Sequence, residues 1–268
     1  MQRRMFSLCH SDLEMLNTGK CKNLQCYLNN YIFKKMNFAP TNKMLVLGDS
    51  IKKNLKSIVS ERAFLNIITM IHPYYSDLAD NARHYKRENI IHIGIVGAIK
   101  EKDIENFRNL DCAISNMENV KAYSLSKFYG RPHEIHNIIN LNKDGNHLER
   151  GEYDRIISDM DVLYYPYPSD SYRLSASGAI YEAIVKGIPI LAEENAYFQW
   201  LFDSFGEMGI LYKGTPNWSE MLKELQNQKH ILLWKENMRR AAEYINPHNY
   251  CHTFKSLIKN CNDERLSI

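Results

Sequence analysis

The sequence predicts an α/β protein built on parallel sheets and divided into two lobes. Three observations predict it. Short apolar runs alternate with amphipathic stretches, the pattern of strands joined through helical crossovers. The run IIHIGIVGAI, residues 90–99, is apolar almost without interruption, as suits a strand buried on both faces of a parallel sheet. At 268 residues the chain exceeds the roughly 100–200 of one domain, so two lobes fit its length.

Each element follows in order. RMFSLCH, residues 4–10, is a short strand ending at His10. NLQCYLNNYIFKKM sets Leu24, Leu28, Tyr31 and Lys35 on one face with Tyr27 and Ile32 beside it, an amphipathic helix with its apolar stripe turned inward. KMLVLGDS is a strand stopped at Gly48-Asp49-Ser50, and a helical stretch runs from there to about Val59. FLNIITMIHPYY is a strand broken at Pro73. After residues 90–99 come a helix in KEKDIENFRNL and a weak strand in LDCAIS; residues 116–150 are polar and give no clear period. GEYDRIISDM is a helix and DVLYYPY a strand. The helix over 178–186 stops at Lys186-Gly187 with Pro189 beyond. IPILA is a strand, AYFQWLFDSF a helix, GILYKG a strand and 217–225 a helix. The tail from about 230 to 259 is helical, interrupted at Pro247. Trp200 and its apolar neighbours at helical spacing read as core. The polar stretch LADNARHYKREN places the lobe boundary near 78–90. The expected division is a first lobe over 1–85, a second over 86–245, and a C-terminal helix over 246–268 that packs back on the first.

Composition narrows the function. With 44% hydrophobic residues the chain buries a sizeable core and is not disordered. Residues 1–60 hold ten Lys/Arg against three Asp/Glu, a balance of +7 that leaves −4 for the rest. Such a segment favours an anionic partner, including a lipid phosphate surface, although solvated helix faces account for it equally simply. Nothing points to nucleic acid. The six cysteines form no CxxC pair and have no histidines at zinc spacing. No signal-peptide core follows MQRR and no apolar run reaches the ~20 residues of a membrane span, so a cytoplasmic protein with reduced thiols is expected.

The stretch YRLSASGAIYEAIVKGIPILA carries the chemistry. The preceding strand delivers the chain to the carboxyl edge of the sheet, where α/β proteins bind ligands. The first N–H groups of a helix lack partners, and the helix dipole favours an anion there. Gly178 has no Cβ, so a phosphate can approach the backbone; Ser177 can cap the helix or donate to a phosphate oxygen; Arg173 can add a charge-assisted contact. Glu182 lies one turn down the same face, roughly 6 Å along the axis, a distance that suits a ribose hydroxyl. Cap, tolerated glycine and exposed acid would explain the same residues without a ligand.

This stretch resembles the donor-binding motif of bacterial glycosyltransferases with the two-lobed GT-B fold. In that family a Ser-Gly pair opens a helix, an acid follows, and A-x-x-x-G-x-P-(I/V) closes it. YDRIISDMDVLYYPY is similar to the family's lead-in, HIGIVGAIKEK to the first strand and glycine turn of its C-terminal lobe, and CHSDLEML, more loosely, to a His-Gly-Glu-Leu-Glu pattern in the N-terminal lobe. The resemblance covers most of 90–245 and implies transfer of a sugar from a nucleotide donor to an acceptor hydroxyl. By carry-over Ser177 and Gly178 bind the diphosphate with Arg173 assisting, Glu182 holds the ribose, Gly97 lets the first turn pass close to the phosphates, and Tyr172 contacts the same region. No cofactor or metal is implied; the nucleotide sugar is a substrate. The acceptor is a glycan or lipid-linked sugar, which sets the protein in polysaccharide or glycolipid assembly, peripheral to the inner face of the membrane.

Two departures matter. Many retaining members carry a second acid eight residues before the ribose acid, where this chain has Leu174. Family members also run longer, so the first lobe is expected to be incomplete and completed by a partner chain or a second copy. For the base that takes the acceptor proton, Asp12 and His10 are the candidates, at the end of a strand facing the crevice; helix capping is the plain alternative. Asp159 and Asp161 in DMD fit turn and capping roles rather than a metal, and HxxH at 133–136 lacks a third ligand. A non-catalytic donor-binding subunit, or an inactive remnant, is the main rival reading. A sugar-nucleotide epimerase, needing no acceptor, is a further one.

Overall fold

The computed structural model describes residues 5–9, 13–17, 31, 42–74, 90–100, 103–128, 135–142 and 148–263. In the first lobe Met5–Cys9 (β1), Asn42–Val46 (β2) and Ile67–Thr69 (β3) form a parallel sheet in that order. Met44, Leu45 and Val46 are all buried, so the central strand is covered on both faces. Glu14–Asn17 (α1) follows β1 and Asp49–Leu55 (α2) follows β2. Glu61–Phe64 (α3) is capped by Ser60, whose hydroxyl accepts from the Ala63 N–H. The strand expected over 64–75 shrinks to β3, because Phe64 closes α3.

The second lobe holds a six-stranded parallel sheet. Its strands are Ile91–Ile95 (β4), Val120–Ser124 (β6), Ile138–Asn140 (β8), Val162–Tyr165 (β9), Ile190–Glu193 (β10) and Gly209–Tyr212 (β11), in the order β11-β10-β9-β4-β6-β8. Ala98–Ile99 (β5) and Lys127–Phe128 (β7) make a small parallel pair beside it. All four residues of β9 are buried, as a central strand requires. The chain moves outward from β4 through β6 to β8, then returns to β9 on the other side of β4 and moves outward again. The order therefore reverses between β4 and β9, and a crevice opens at such a point beyond the carboxyl ends of the strands.

The crossover helices are Ile104–Ile114 (α4), Arg150–Ile157 (α5), Gly178–Lys186 (α6), Ala196–Phe205 (α7) and Trp218–Glu224 (α8). Gln228–Ile245 (α9) buries Ile231, Trp234, Met238, Ala241 and Ile245 at helical spacing, and Pro247–Asp263 (α10) follows. Residues 246–268, expected on the first lobe, give α10, whose described packing partner is α9. One apolar core joins the lobes: Leu13, Leu16, Met44, Leu47 and Ile51 of the first belong to the same cluster as Leu174, Ile180, Tyr197 and Leu201 of the second.

Two expectations are corrected. LDCAIS is not a strand but the end of α4, because Phe107, Leu110 and Ile114 continue one buried helical stripe. The strands of this region, β6 and β8, lie in the stretch that gave no period. They are short, and Asp111 on α4 tethers β8 by accepting from the backbone N–H groups of His136, Asn137 and Ile138. Tyr31, expected on an inward stripe, is 57% exposed; the rest of that helix, and the boundary near 78–90, fall largely outside the described residues.

Candidate functional site

At the strand-order reversal, β4 is followed by Val96-Gly97 and β9 by Pro166-Tyr167. Gly97 has φ +98, and an ideal Cβ there would lie 1.6 Å from the Tyr167 hydroxyl oxygen. The bareness of Gly97 thus makes room for a tyrosine of the same lobe. The Tyr167 ring meets that of Tyr172 edge-on at 5.1 Å, and Tyr172 stacks on Phe198 at 5.8 Å. Tyr172 takes this inward course at φ 56, a left-handed backbone uncommon for a bulky residue. Burial raises its phenol. Tyr172 is thus partly buried, its ring held against Tyr167 and Phe198.

The tip of α6 differs. Ser177 is buried and its hydroxyl does not cap the helix. Gly178 is half-buried, and among the described residues nothing lies within 4 Å of where its Cβ would stand. Among the described residues, no group accepts a hydrogen bond from the N–H of Gly178, Ala179 or Ile180. Tyr165 braces the turn from behind by donating to the Ala179 carbonyl at 3.0 Å. The result is a helix end with free donors, a positive dipole pole and open space beside a bare backbone.

Glu182, one turn along, is closed off. It is 6% exposed. Arg150 at the start of α5 donates to one carboxylate oxygen at 2.9 Å, and the Tyr153 hydroxyl donates to the other at 2.9 Å. Arg150 also grips Asp154, and Lys186 reaches Asp154 at 2.9 Å. Burial and then the Glu182 charge push the Tyr153 phenol up, and the same two causes raise Tyr74. Burial alone would lower Arg150; Asp154, Glu182 and Tyr74 outweigh it and raise it. Burial would raise Asp154, but Lys186 and Arg150 hold it below its ordinary value. The acid expected to face a ribose is thus already satisfied by protein groups. Of these partners, the sequence shows only the Arg150–Asp154 spacing of four residues on one helix.

The loop leading into α6 is gripped from the other lobe. Asn54 on α2 donates to the Arg173 carbonyl at 2.8 Å. One carboxylate oxygen of Glu14, on α1, accepts from the Leu174 N–H at 2.8 Å and from the Ser175 hydroxyl at 2.9 Å. The Arg173 side chain itself is exposed. Gly48, at the start of α2, abuts Tyr197 and Trp200, each 3.0 Å from its ideal Cβ position. The α6 tip therefore stands where the lobes meet. Sequence reasoning missed Glu14, Asn54 and Tyr167, because contacts over 160, 119 and 70 residues leave no periodic trace.

His10 and Asp12 lie outside the described residues, as does His133. Asp161 accepts from the His92 N–H at 2.7 Å, pinning the start of β4. Cys9 is buried, while Cys112 and Cys251 are exposed. Among the described residues no helix is long and apolar enough to cross a membrane.

No protein-family model matches the sequence, and no curated protein is similar to it in sequence. Solved structures are similar to it in fold. TarM superposes with a TM-score of 0.60 at 16% identity over 96% of this chain and 50% of its own. WaaG, described as a glycosyltransferase involved in lipopolysaccharide biosynthesis, superposes at 0.62 and 15% identity over 95% of this chain and 74% of its own. HepE of Anabaena, solved with UDP and glucose, superposes at 0.63 and 10% identity over 95% of this chain and 71% of its own. This chain spans half the length of TarM.

Proposed function

We propose, from the GT-B fold that this chain has, that it binds a nucleotide sugar and transfers the sugar to an acceptor hydroxyl in surface polysaccharide or glycolipid assembly. The observation that carries the reading is the tip of α6: three donor N–H groups and the bare side of Gly178 stand open where the lobes meet. A diphosphate there gains hydrogen bonds and the helix dipole without displacing protein atoms. Arg173, exposed at the rim, adds charge to the same anion. In the transfer step the acceptor oxygen bonds to the anomeric carbon as the bond from that carbon to the diphosphate oxygen breaks. The nucleoside diphosphate leaves with the electron pair, stabilised by the preorganised donors, and the acceptor proton passes to a base. Asp12 and His10 stand as the proposed bases. The glucose and UDP held by HepE, and the lipopolysaccharide role of WaaG, belong to those proteins and support the reading here.

The test is a thermal-shift panel of UDP, GDP and ADP with the intact chain, followed by assay of UDP- and GDP-sugar turnover. A nucleoside diphosphate at 100 times its Kd should stabilise the protein by about 2.7 kcal/mol. Absence of a shift with every nucleotide overturns the reading.

A second reading has specific support. Glu182 already accepts from Arg150 and Tyr153, and Tyr167 fills the space at Gly97. These favour a donor-binding subunit that needs a partner chain or a second copy for transfer. Nucleotide binding without turnover by the isolated chain separates it from the first reading; sugar isomers formed without acceptor would instead mark an epimerase.

A further inference from the structure

The loop from Tyr172 to Ser177 leads into the α6 tip, with Tyr172 packed on Tyr167 and Phe198 and Leu174 buried in the core. It carries a left-handed Tyr172, and the Arg173 carbonyl and Leu174 N–H both find their partners outside the second lobe. Those partners are side chains of the first lobe. Glu14 is held firmly in place there, since Leu13 and Leu16, on either side of it, are 0% and 5% exposed in the core shared by the lobes. A single carboxylate oxygen takes two hydrogen bonds from consecutive residues, so it fixes both the peptide at Leu174 and the side chain of Ser175. Leu174 is itself fully buried, which seats that peptide from the other side. Three residues beyond Ser175 the helix begins, at Gly178.

We propose that Glu14 is a positioning residue of the donor site, supplied by the first lobe, which holds the loop so that the free N–H groups of α6 face the crevice; the inference rests on the nucleotide-sugar reading of that tip. Two effects of the carboxylate oppose each other. Its hydrogen bonds order the loop, and its negative charge repels an incoming diphosphate. The hydrogen bonds win here, because both are short and made to partly buried groups, while the charge is directed at the same two donors. The donor site is therefore assembled only when the two lobes touch, which makes it a property of the whole chain and not of the second lobe alone.

The experiment measures UDP and GDP affinity by calorimetry for the intact protein and for three variants. Glu14→Gln keeps an acceptor oxygen for both bonds and removes the charge, so it binds as tightly as the parent or more tightly. Glu14→Ala removes both bonds and binds at least tenfold more weakly. Ser175→Ala removes one of the two bonds by a change outside the first lobe and binds roughly threefold more weakly, which keeps the test open should Glu14→Ala fail to fold. Amide exchange at Leu174, faster in Glu14→Ala than in Glu14→Gln, reports the lost bond without any nucleotide. If the parent binds and Glu14→Ala or Ser175→Ala binds equally well or better, the carboxylate merely repels and the inference is overturned while the donor site stands. If the parent binds neither nucleotide, the donor reading falls and this inference falls with it.

Discussion

Gly97 and Gly178 stand at the two places where the second lobe hands its chain to the crevice, and they have opposite surroundings. At Gly97 the missing side chain is replaced by the Tyr167 hydroxyl, and the backbone is left-handed. At Gly178 no atom of the described residues takes the place of the missing side chain, and the residue opens an ordinary helix. The same contrast runs along α6, between an open tip and a middle where Glu182 is enclosed by Arg150 and Tyr153. A glycine or an acid in a suggestive motif says that space or charge is present. Whether a ligand or a neighbouring side chain takes it depends on residues far away in the chain.

The contrast is broken most severely at Gly97. Gly97→Ala combines left-handed strain with overpacking against Tyr167, a loss of about 3 kcal/mol. For a chain of this size that lowers the melting temperature by roughly 6–12 °C. Adding Tyr167→Phe removes the atom the new methyl meets and should recover part of the loss. Melting of Gly97→Ala at the parent temperature would show that Tyr167 does not hold that space.

Glu182→Ala comes next. It strands the buried Tyr153 hydroxyl without an acceptor, for about 1–3 kcal/mol, while Arg150, 66% exposed, hydrates and adds little. Glu182→Gln, which keeps the Tyr153 bond, should lose less. Denaturant unfolding checks both, and an unchanged midpoint for Glu182→Ala would mean the enclosure contributes nothing to the fold.

Gly178→Ala has the smallest effect on stability, within about 0.5 kcal/mol, since its Cβ meets no atom of the described residues. Its effect belongs to the ligand: UDP affinity should fall about tenfold as the methyl enters the phosphate space. Equal affinity would mean the diphosphate sits elsewhere.

The second lobe is legible in the sequence because its strands are central. β9 and β4 are apolar on both faces, and α6, with Gly187 closing it, begins and ends where the sequence places it. β6 and β8 are not legible. β6 alternates, with Val120, Ala122 and Ser124 buried and Lys121 exposed, but over five residues only, and β8 has three residues with Ile139 exposed, so both are too short to stand out from a polar stretch. LDCAIS misleads because six residues with four apolar ones fit a strand, and only the buried stripe from Phe107 assigns them to α4.

Of the site, the sequence by itself determined its local chemistry: a Ser-Gly helix start, an arginine before it and an acid one turn on. It also determined the α/β alternation that puts this helix after a central strand. Only the tertiary structure decided which of these groups are open. Helix periodicity and turn chemistry act between neighbours a few residues apart, whereas Tyr167 on Gly97, Arg150 on Glu182 and Glu14 on Leu174 are brought together by folding. Burial makes such pairings decisive, because a polar group removed from water must find a partner, and the partner it finds in the fold is no longer available to a ligand.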